Sequence, residues 1–195
     1  MPGGTCGFRR PGQSDSGQGD HLLTESAPRV CDTRNINDSR CKLTEGFDCP
    51  HGIFTDRRKG DPELYVADRT NHRVRVYDME GRFKRSFEDD FLSSPSGFVT
   101  DGDLMVIAEL RARLAVIGRD DNLVCYLGDN EGVCSKDGWP NGENQDGEVI
   151  PTGLLQPGLF NSPHGMAVDK QGNLFVAEWL IGGRFTKLEN LRSLG

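Results

Sequence analysis

Pro163-His164-Gly165-Met166-Ala167-Val168-Asp169, followed after a short turn by Asn173-Leu174-Phe175-Val176-Ala177-Glu178, sets the architecture because the chain writes it three times. An earlier copy runs Phe47-Asp48-Cys49-Pro50-His51-Gly52-Ile53-Phe54-Thr55-Asp56, then Glu63-Leu64-Tyr65-Val66-Ala67-Asp68. The middle copy runs Ser94-Pro95-Ser96-Gly97-Phe98-Val99-Thr100-Asp101, then Asp103-Leu104-Met105-Val106-Ile107-Ala108-Glu109. Each has Pro, one residue, Gly, an alternating apolar strand, Asp, a turn, a second apolar strand, and Ala before an acid. Proline cannot donate to a ladder and so marks a strand's first position; glycine permits close approach where strands crowd together. Asp with Gly or Asn closes a tight hairpin, as at Asp101-Gly102-Asp103 and from Asp169 to Asn173.

Outward from each hairpin a third strand follows, Val74 to Tyr77 or Leu114 to Ile117, and a further turn leads to a fourth, Phe83 to Phe87 or Leu123 to Leu127. Repeated units of four short antiparallel strands are what a β-propeller blade requires. Pro50 and Pro95 lie 45 residues apart, a blade-like period, whereas Pro95 and Pro163 are separated by 68. The roughly 23 extra residues fall in Asp129 to Pro157, a stretch rich in Gly, Asn, Asp and Pro that reads as a long loop leaving one rim, either a disordered insertion or a lid over the channel. The third unit stops near Leu188, before an outer strand is complete.

The expectation is therefore an all-β chain, a partial β-propeller of about three four-stranded blades over residues 46–195 with a long loop at 129–157. Residues 1–45 do not join the pattern, and their Gly, Ser, Gln and Asp content with hardly an apolar run is that of a poorly structured N-terminal arm. Such an arm is read either as a native tail or as the start of a fragment whose upstream blades are missing. Three blades leave two open sheet faces, which self-association would cover by completing the ring.

With 25 glycines among 195 residues the composition suits a turn-rich fold. A formal net charge of −7 repels phosphate backbones, so nucleic acid is not expected as a partner. Runs such as Arg57-Arg58-Lys59 and Arg82 to Arg85 sit beside turn signals and read as solvated loops or strand ends. No stretch approaches the ~20 apolar residues of a membrane-spanning helix, and no apolar signal-peptide core is visible; the reading is a soluble chain of unassigned compartment. Six cysteines show no C-x-x-C spacing; Cys125 and Cys134 flank a Gly/Asp-rich turn and are either bridged, in an exported protein, or free thiols. No phosphate-binding Gly-rich loop, G-x-S-x-G elbow or H-E-x-x-H motif occurs.

His51 and His164 share one repeat position, between Pro and Gly at the start of the strand expected nearest the central axis. Equivalent positions on different blades converge there, so two imidazoles are placed to bind one metal ion, with Ser96 in the corresponding place of the middle unit. The competing reading is that Pro-His-Gly is a favoured turn into a strand and that histidine fills space at the channel mouth. Asp68, Glu109 and Glu178 recur after Ala in all three units, which points to a structural duty, an inter-blade hydrogen bond or charge pair. Arg69 is read in this light as a surface arginine paired with Asp68 or Glu63.

The phrases Cys49-Pro50-His51-Gly52-Ile53, Leu64-Tyr65-Val66-Ala67-Asp68-Arg69-Thr70-Asn71-His72-Arg73-Val74 and Pro163-His164-Gly165-Met166-Ala167-Val168-Asp169 resemble NHL repeats over about residues 46–190. That resemblance implies a six-bladed ring and a binding module for a peptide, protein or small ligand at the channel face. Within the group, the Pro-His strand starts and Ala67-Asp68-Arg69-Thr70-Asn71 are similar to the peptidyl-α-hydroxyglycine amidating lyases, a family often exported. The resemblance implies a zinc ion held by channel histidines, a structural calcium, and cleavage of the hydroxyglycine C–N bond to a peptide amide and glyoxylate. Position by position, His51 and His164 match two zinc histidines and Arg69 an arginine near the substrate carboxylate. A guanidinium clamps a carboxylate bidentately, which makes that role chemically sound. No third channel histidine is identifiable: His21 lies in the arm and His72 is expected inside a strand, and Tyr65, Tyr77 and Tyr126 all fall in ordinary strands, so no tyrosine base is placed.

Overall fold

A computed structural model describes residues 46–88 and 91–189. The N-terminal arm, with His21, Cys6, Cys31 and Cys41, lies outside the described residues. All three prolines open a strand as expected: Pro50 in β1 (Pro50–Asp56), Pro95 in β5 (Pro95–Asp101) and Pro163 in β11 (Pro163–Val168). The first sheet is completed by β2 (Glu63–Asp68), β3 (Arg73–Tyr77) and β4 (Phe83–Phe87), and the second by β6 (Leu104–Glu109), β7 (Arg113–Ile117) and β8 (Leu123–Leu127). In the third, β12 (Leu174–Glu178) and β13 (Arg184–Leu188) follow β11. Every sheet pairs sequential neighbours antiparallel, and β5 packs on both β1 and β11, so the three sheets stand as consecutive blades of a partial β-propeller.

Period-2 alternation splits each blade into two faces and thereby builds two cores. Tyr65, Ala67, Val74 and Val76 of the first blade meet Phe98, Met105, Ile107, Ala115 and Ile117 of the second. The other face of the second, Val106, Ala108, Leu114 and Val116, meets Leu174 and Val176 of the third. Each fully buried Val, Leu or Ile contributes about 1.5–3 kcal/mol of transfer free energy. A β-bulge follows the proline of every inner strand, between Pro50 and Ile53, Pro95 and Gly97, and Pro163 and Gly165. There the glycines admit the neighbouring blade: a Cβ on Gly52 would lie 2.4 Å from the Ser96 carbonyl oxygen, and one on Gly97 3.2 Å from that of His164.

The recurring acids do have a structural duty, but within each blade. Asp68 accepts from the Asp48 amide, Glu109 from those of Ser93 and Ser94, and Glu178 from those of Asn161 and Ser162, so each acid anchors the chain entering its own blade. Each also pairs with the arginine that begins its third strand: Arg73 at 2.7 Å, Arg113 at 3.4 Å, and Arg184. Strand register makes these partners, because Asp68 lies opposite Arg73, Glu109 opposite Arg113 and Glu178 opposite Arg184. Burial raises the pKa of Glu109, against the opposing pull of its serine hydrogen bonds and of Arg113.

The first two blades are instead tied by Asp121, a buried residue that accepts from Tyr65 Oη at 2.7 Å, Lys59 Nζ at 2.5 Å, Arg85 at 2.8 Å and Arg58 at 3.4 Å. Arg85 also clamps Glu63, at 2.9 and 2.6 Å, and holds its carboxyl down at about 2. A carboxylate depressed in the folded state stabilises fully above its unfolded pKa and loses that contribution as protons are forced onto it. Stability is therefore expected to fall as pH drops from about 4.5 towards about 2, and Glu63→Gln to flatten that limb of a denaturation-against-pH curve.

The segment after β8 is folded. A 3₁₀ turn (Glu131–Ser135) buries Val133, and a small hairpin pairs β9 (Gly142–Glu143) with β10 (Val149–Ile150). Trp139 Nε1 donates to the Asn161 carbonyl at 2.8 Å, fastening the segment to the entry of the third blade. Cys125 and Cys134 are free thiols, each with its pKa raised by burial. Among the described residues no helix is long and apolar enough to cross a membrane.

Candidate axial site

His51 and His164 start the inner strands of the first and third blades, with the second blade between them. Because those strands converge at the end where they begin, the two rings still meet: their Nε2 atoms are 3.2 Å apart and the rings stand edge to face, 4.7 Å between centroids. His51 Nδ1 donates to the Ser96 carbonyl at 2.9 Å. With Nδ1 committed as a donor, the neutral ring carries its lone pair on Nε2, facing His164. Ser96 thus takes part through its backbone, in the blade that has no histidine of its own; its side chain turns away and donates to Ala108 O. Burial lowers the pKa of His164, with smaller contributions in the same direction from His51 and Arg69, which favours the neutral imidazole with its one lone-pair nitrogen.

The surface ion pair expected for Arg69 does not form. Asp68 is taken by Arg73, Asn71 and the Asp48 amide, and Glu63 by Arg85 and Lys84. Arg69 Nη2 donates to Cys49 Sγ at 3.2 Å, and among the described residues its guanidinium makes no ion pair. Its charge adds a minor downward contribution to the His164 pKa. Arg69, Leu110 and Trp179 are equivalent, each donating its backbone N–H to the residue just before a strand-opening proline, at 3.4, 2.9 and 2.8 Å.

The remaining candidates are placed elsewhere. His72 sits in the turn between β2 and β3 rather than in a strand, in the left-handed region with φ 54°, and its Nδ1 bonds Ser93 O. Burial raises the pKa of all three tyrosines. Tyr65 is spent on Asp121 and Tyr126 donates to Phe91 O at 2.8 Å. Sequence reading missed Ser96 and Cys49; the only trace of either was position, Ser96 standing where the flanking units have histidine and Cys49 just before Pro50.

Two imidazole nitrogens bound to one tetrahedral zinc at 2.0–2.1 Å lie about 3.3 Å apart, close to the separation of this pair. Among the described residues no group of three or more His, Cys, Asp or Glu converges. The donor set therefore fits half of a tetrahedral zinc site, leaving positions for water or ligand, and offers no carboxylate cage of the kind calcium takes.

No protein-family model matches the chain, and no curated protein does. Among solved structures it is similar to a streptogramin B lyase structure, at 12% identity and TM-score 0.41, over 73% of this chain and 41% of that one. It is similar to the catalytically inactive virginiamycin B lyase variant from Staphylococcus aureus crystallised with quinupristin, at 12% identity and TM-score 0.38, over 73% of this chain and 56% of that one. Selenomethionine-substituted virginiamycin B lyase from Staphylococcus aureus matches at 11% identity and TM-score 0.36, over 73% and 70% of the two chains. The matched part thus spans about two fifths of the first of these proteins.

Proposed function

We propose that the chain is part of an NHL-type β-propeller that binds a ligand at its axial face, with zinc at His51 and His164 and a ligand carboxylate at Arg69. The observation that carries this reading is the approach of the two Nε2 atoms to 3.2 Å across an intervening blade. The ligand is a peptide, a protein segment or a small molecule bearing a carboxylate, because among the described residues the guanidinium of Arg69 has no carboxylate of its own. Calcium is assigned to no described residue, and self-association that completes a ring belongs to the same reading.

Metal analysis of the purified chain tests it. Zinc is expected near one equivalent in the wild type and absent after His51→Ala combined with His164→Ala. Ser96→Ala, which leaves the carbonyl that orients His51 in place, is expected to keep its zinc. A metal-free wild type sinks the proposal.

Arg69, without an ion pair among the described residues and with its charge felt at His164, favours a second, sharper reading, a peptidylamidoglycolate lyase-like activity. A bound zinc would supply Lewis acidity there, His51 and His164 would hold it, and Arg69 would orient the carboxylate of a peptidyl-α-hydroxyglycine. Glyoxylate release from such a peptide is the assay. Arg69→Met is expected to lower kcat/KM by about tenfold or more, in keeping with the loss of a charge-assisted hydrogen bond, while leaving zinc content unchanged.

A further inference from the structure

The three blades present one repeated face, and among the described residues its last copy is uncovered. Gly52, Tyr65, Ala67 and Val74 form it in the first blade and Gly97, Val106, Ala108 and Leu114 in the second, each set covered by the next blade. In the third blade the same register positions are Gly165, Phe175, Ala177 and Phe185. Val74 and Leu114 are 0% exposed, whereas Phe185 is 76% exposed. Gly52 and Gly97 are closed over by a neighbouring backbone oxygen, but a Cβ on Gly165 would meet only Ala177 Cβ, at 3.9 Å. A glycine and an alanine hold the same two places in all three blades, beside larger apolar side chains, and in the first two that combination receives the neighbouring blade.

The opposite end of the arc carries the complementary half. Phe98, Met105 and Ile107 of the second blade and Leu174 and Val176 of the third are the side chains that enter such a face. Their counterparts in the first blade are Ile53, 67% exposed, with Leu64 and Val66 only half-buried. At the outer edge of this surface Arg75 lies over the rings of Phe47, Tyr77 and Phe83, at 5.2, 5.7 and 4.9 Å. Lys187, where the other blades have Val76 and Val116, is paired with Glu189 at 3.0 Å.

We propose that a second copy of this chain docks head to tail, the Ile53 face of each copy on the Phe185 face of the other, continuing the joint already built twice within the chain. A heterologous contact of this kind closes into a two-fold pair when two arcs complete a ring, each copy giving one face and receiving the other. Exposed apolar patches of this sort mark association surfaces. The inference deepens the self-association named above by giving its surfaces and their polarity, and it is independent of the metal.

Light scattering on the eluting protein tests it through a complementary pair of variants. The wild type is expected at twice the monomer mass, dissociating on dilution. Phe185→Lys and Ile53→Asp are each expected to weaken association by about tenfold or more and so to elute as folded monomers by circular dichroism. Mixed one to one, the two variants are expected to pair again, because one joint is then wild type on both sides and the other sets a lysine against an aspartate. A monomeric wild type at its highest soluble concentration overturns the proposal, as do single variants that remain dimeric or a mixture that stays monomeric. Zinc measured on the same samples separates the two readings: metal lost with association intact counts against the axial site alone.

Discussion

Gly52→Ala is expected to cost the protein about 3 kcal/mol or more of stability, at or beyond the upper end of overpacking substitutions. The new methyl carbon would stand 2.4 Å from the Ser96 carbonyl oxygen, 3.0 Å from Gly97 Cα and 3.1 Å from the Ser96 carbonyl carbon. All three obstacles are backbone, so no side chain can rotate away and the blades themselves must part. The neighbouring glycines make a graded control. Gly97→Ala meets a single carbonyl at 3.2 Å and is expected to lose less, while Gly165→Ala is expected to stay within about 0.5 kcal/mol in dilute solution. Urea denaturation midpoints in the order Gly165→Ala, Gly97→Ala, Gly52→Ala, from most to least stable, are the expected result; equal midpoints would show that the blades do not crowd at this ring. The site supplies a second readout. Parting the first and second blades moves His51 off the Ser96 carbonyl, so whatever zinc the wild type carries is expected to fall in Gly52→Ala and to be kept in Gly165→Ala.

Replacing Asp121 has the next largest expected effect. Its carboxylate gathers three cations and a phenol from the first blade onto the turn between β7 and β8 of the second, and little of it is exposed. Asp121→Asn retains the shape and the tolerance of a left-handed backbone, since φ is 67° here, and removes only the charge. Arg58, whose side chain is 2% exposed, then keeps Asp56 as its sole carboxylate, and Arg85 keeps Glu63. Breaking one side of a buried charge network typically costs 3–5 kcal/mol; with these partners left in place, a loss of about 3 kcal/mol is expected. Asp120→Asn, at an exposed neighbouring position, is expected to change the denaturation midpoint hardly at all. Indistinguishable midpoints for the two variants would mean that the joint is held by its apolar core alone.

The blades were legible because every copy repeats local chemistry: a proline opening the inner strand, an Asp turn closing the hairpin, apolar residues at period 2. The Asp169 turn is the clearest case, its Oδ1 taking the amides of Gln171 and Asn173 as an Asx turn does. Arg69 was misread for an equally physical reason. Closeness in sequence suggested Asp68 as its partner, but Asp68 ends β2 and hairpin register sets it opposite Arg73, while Arg69 falls in the turn that follows. The segment after β8 was legible only as a break in the period. Its order comes from Trp139 reaching Asn161 and Asn130 reaching Phe160, contacts spanning 22 and 30 residues.

The amino-acid sequence by itself determined the number of blades, where each begins, which residues line their faces and which two histidines occupy equivalent places, since all of these follow from short-range periodicity and turn chemistry. Only the tertiary structure decided that His51 and His164 meet across a blade containing neither, that a serine carbonyl orients one of them, that Arg69 turns to Cys49 rather than to Asp68 or Glu63, and that Asp121 ties Arg58 and Tyr65 to the next blade. Those relations depend on how wedge-shaped sheets lean together over separations of 45 to 113 residues, and no local propensity carries that distance.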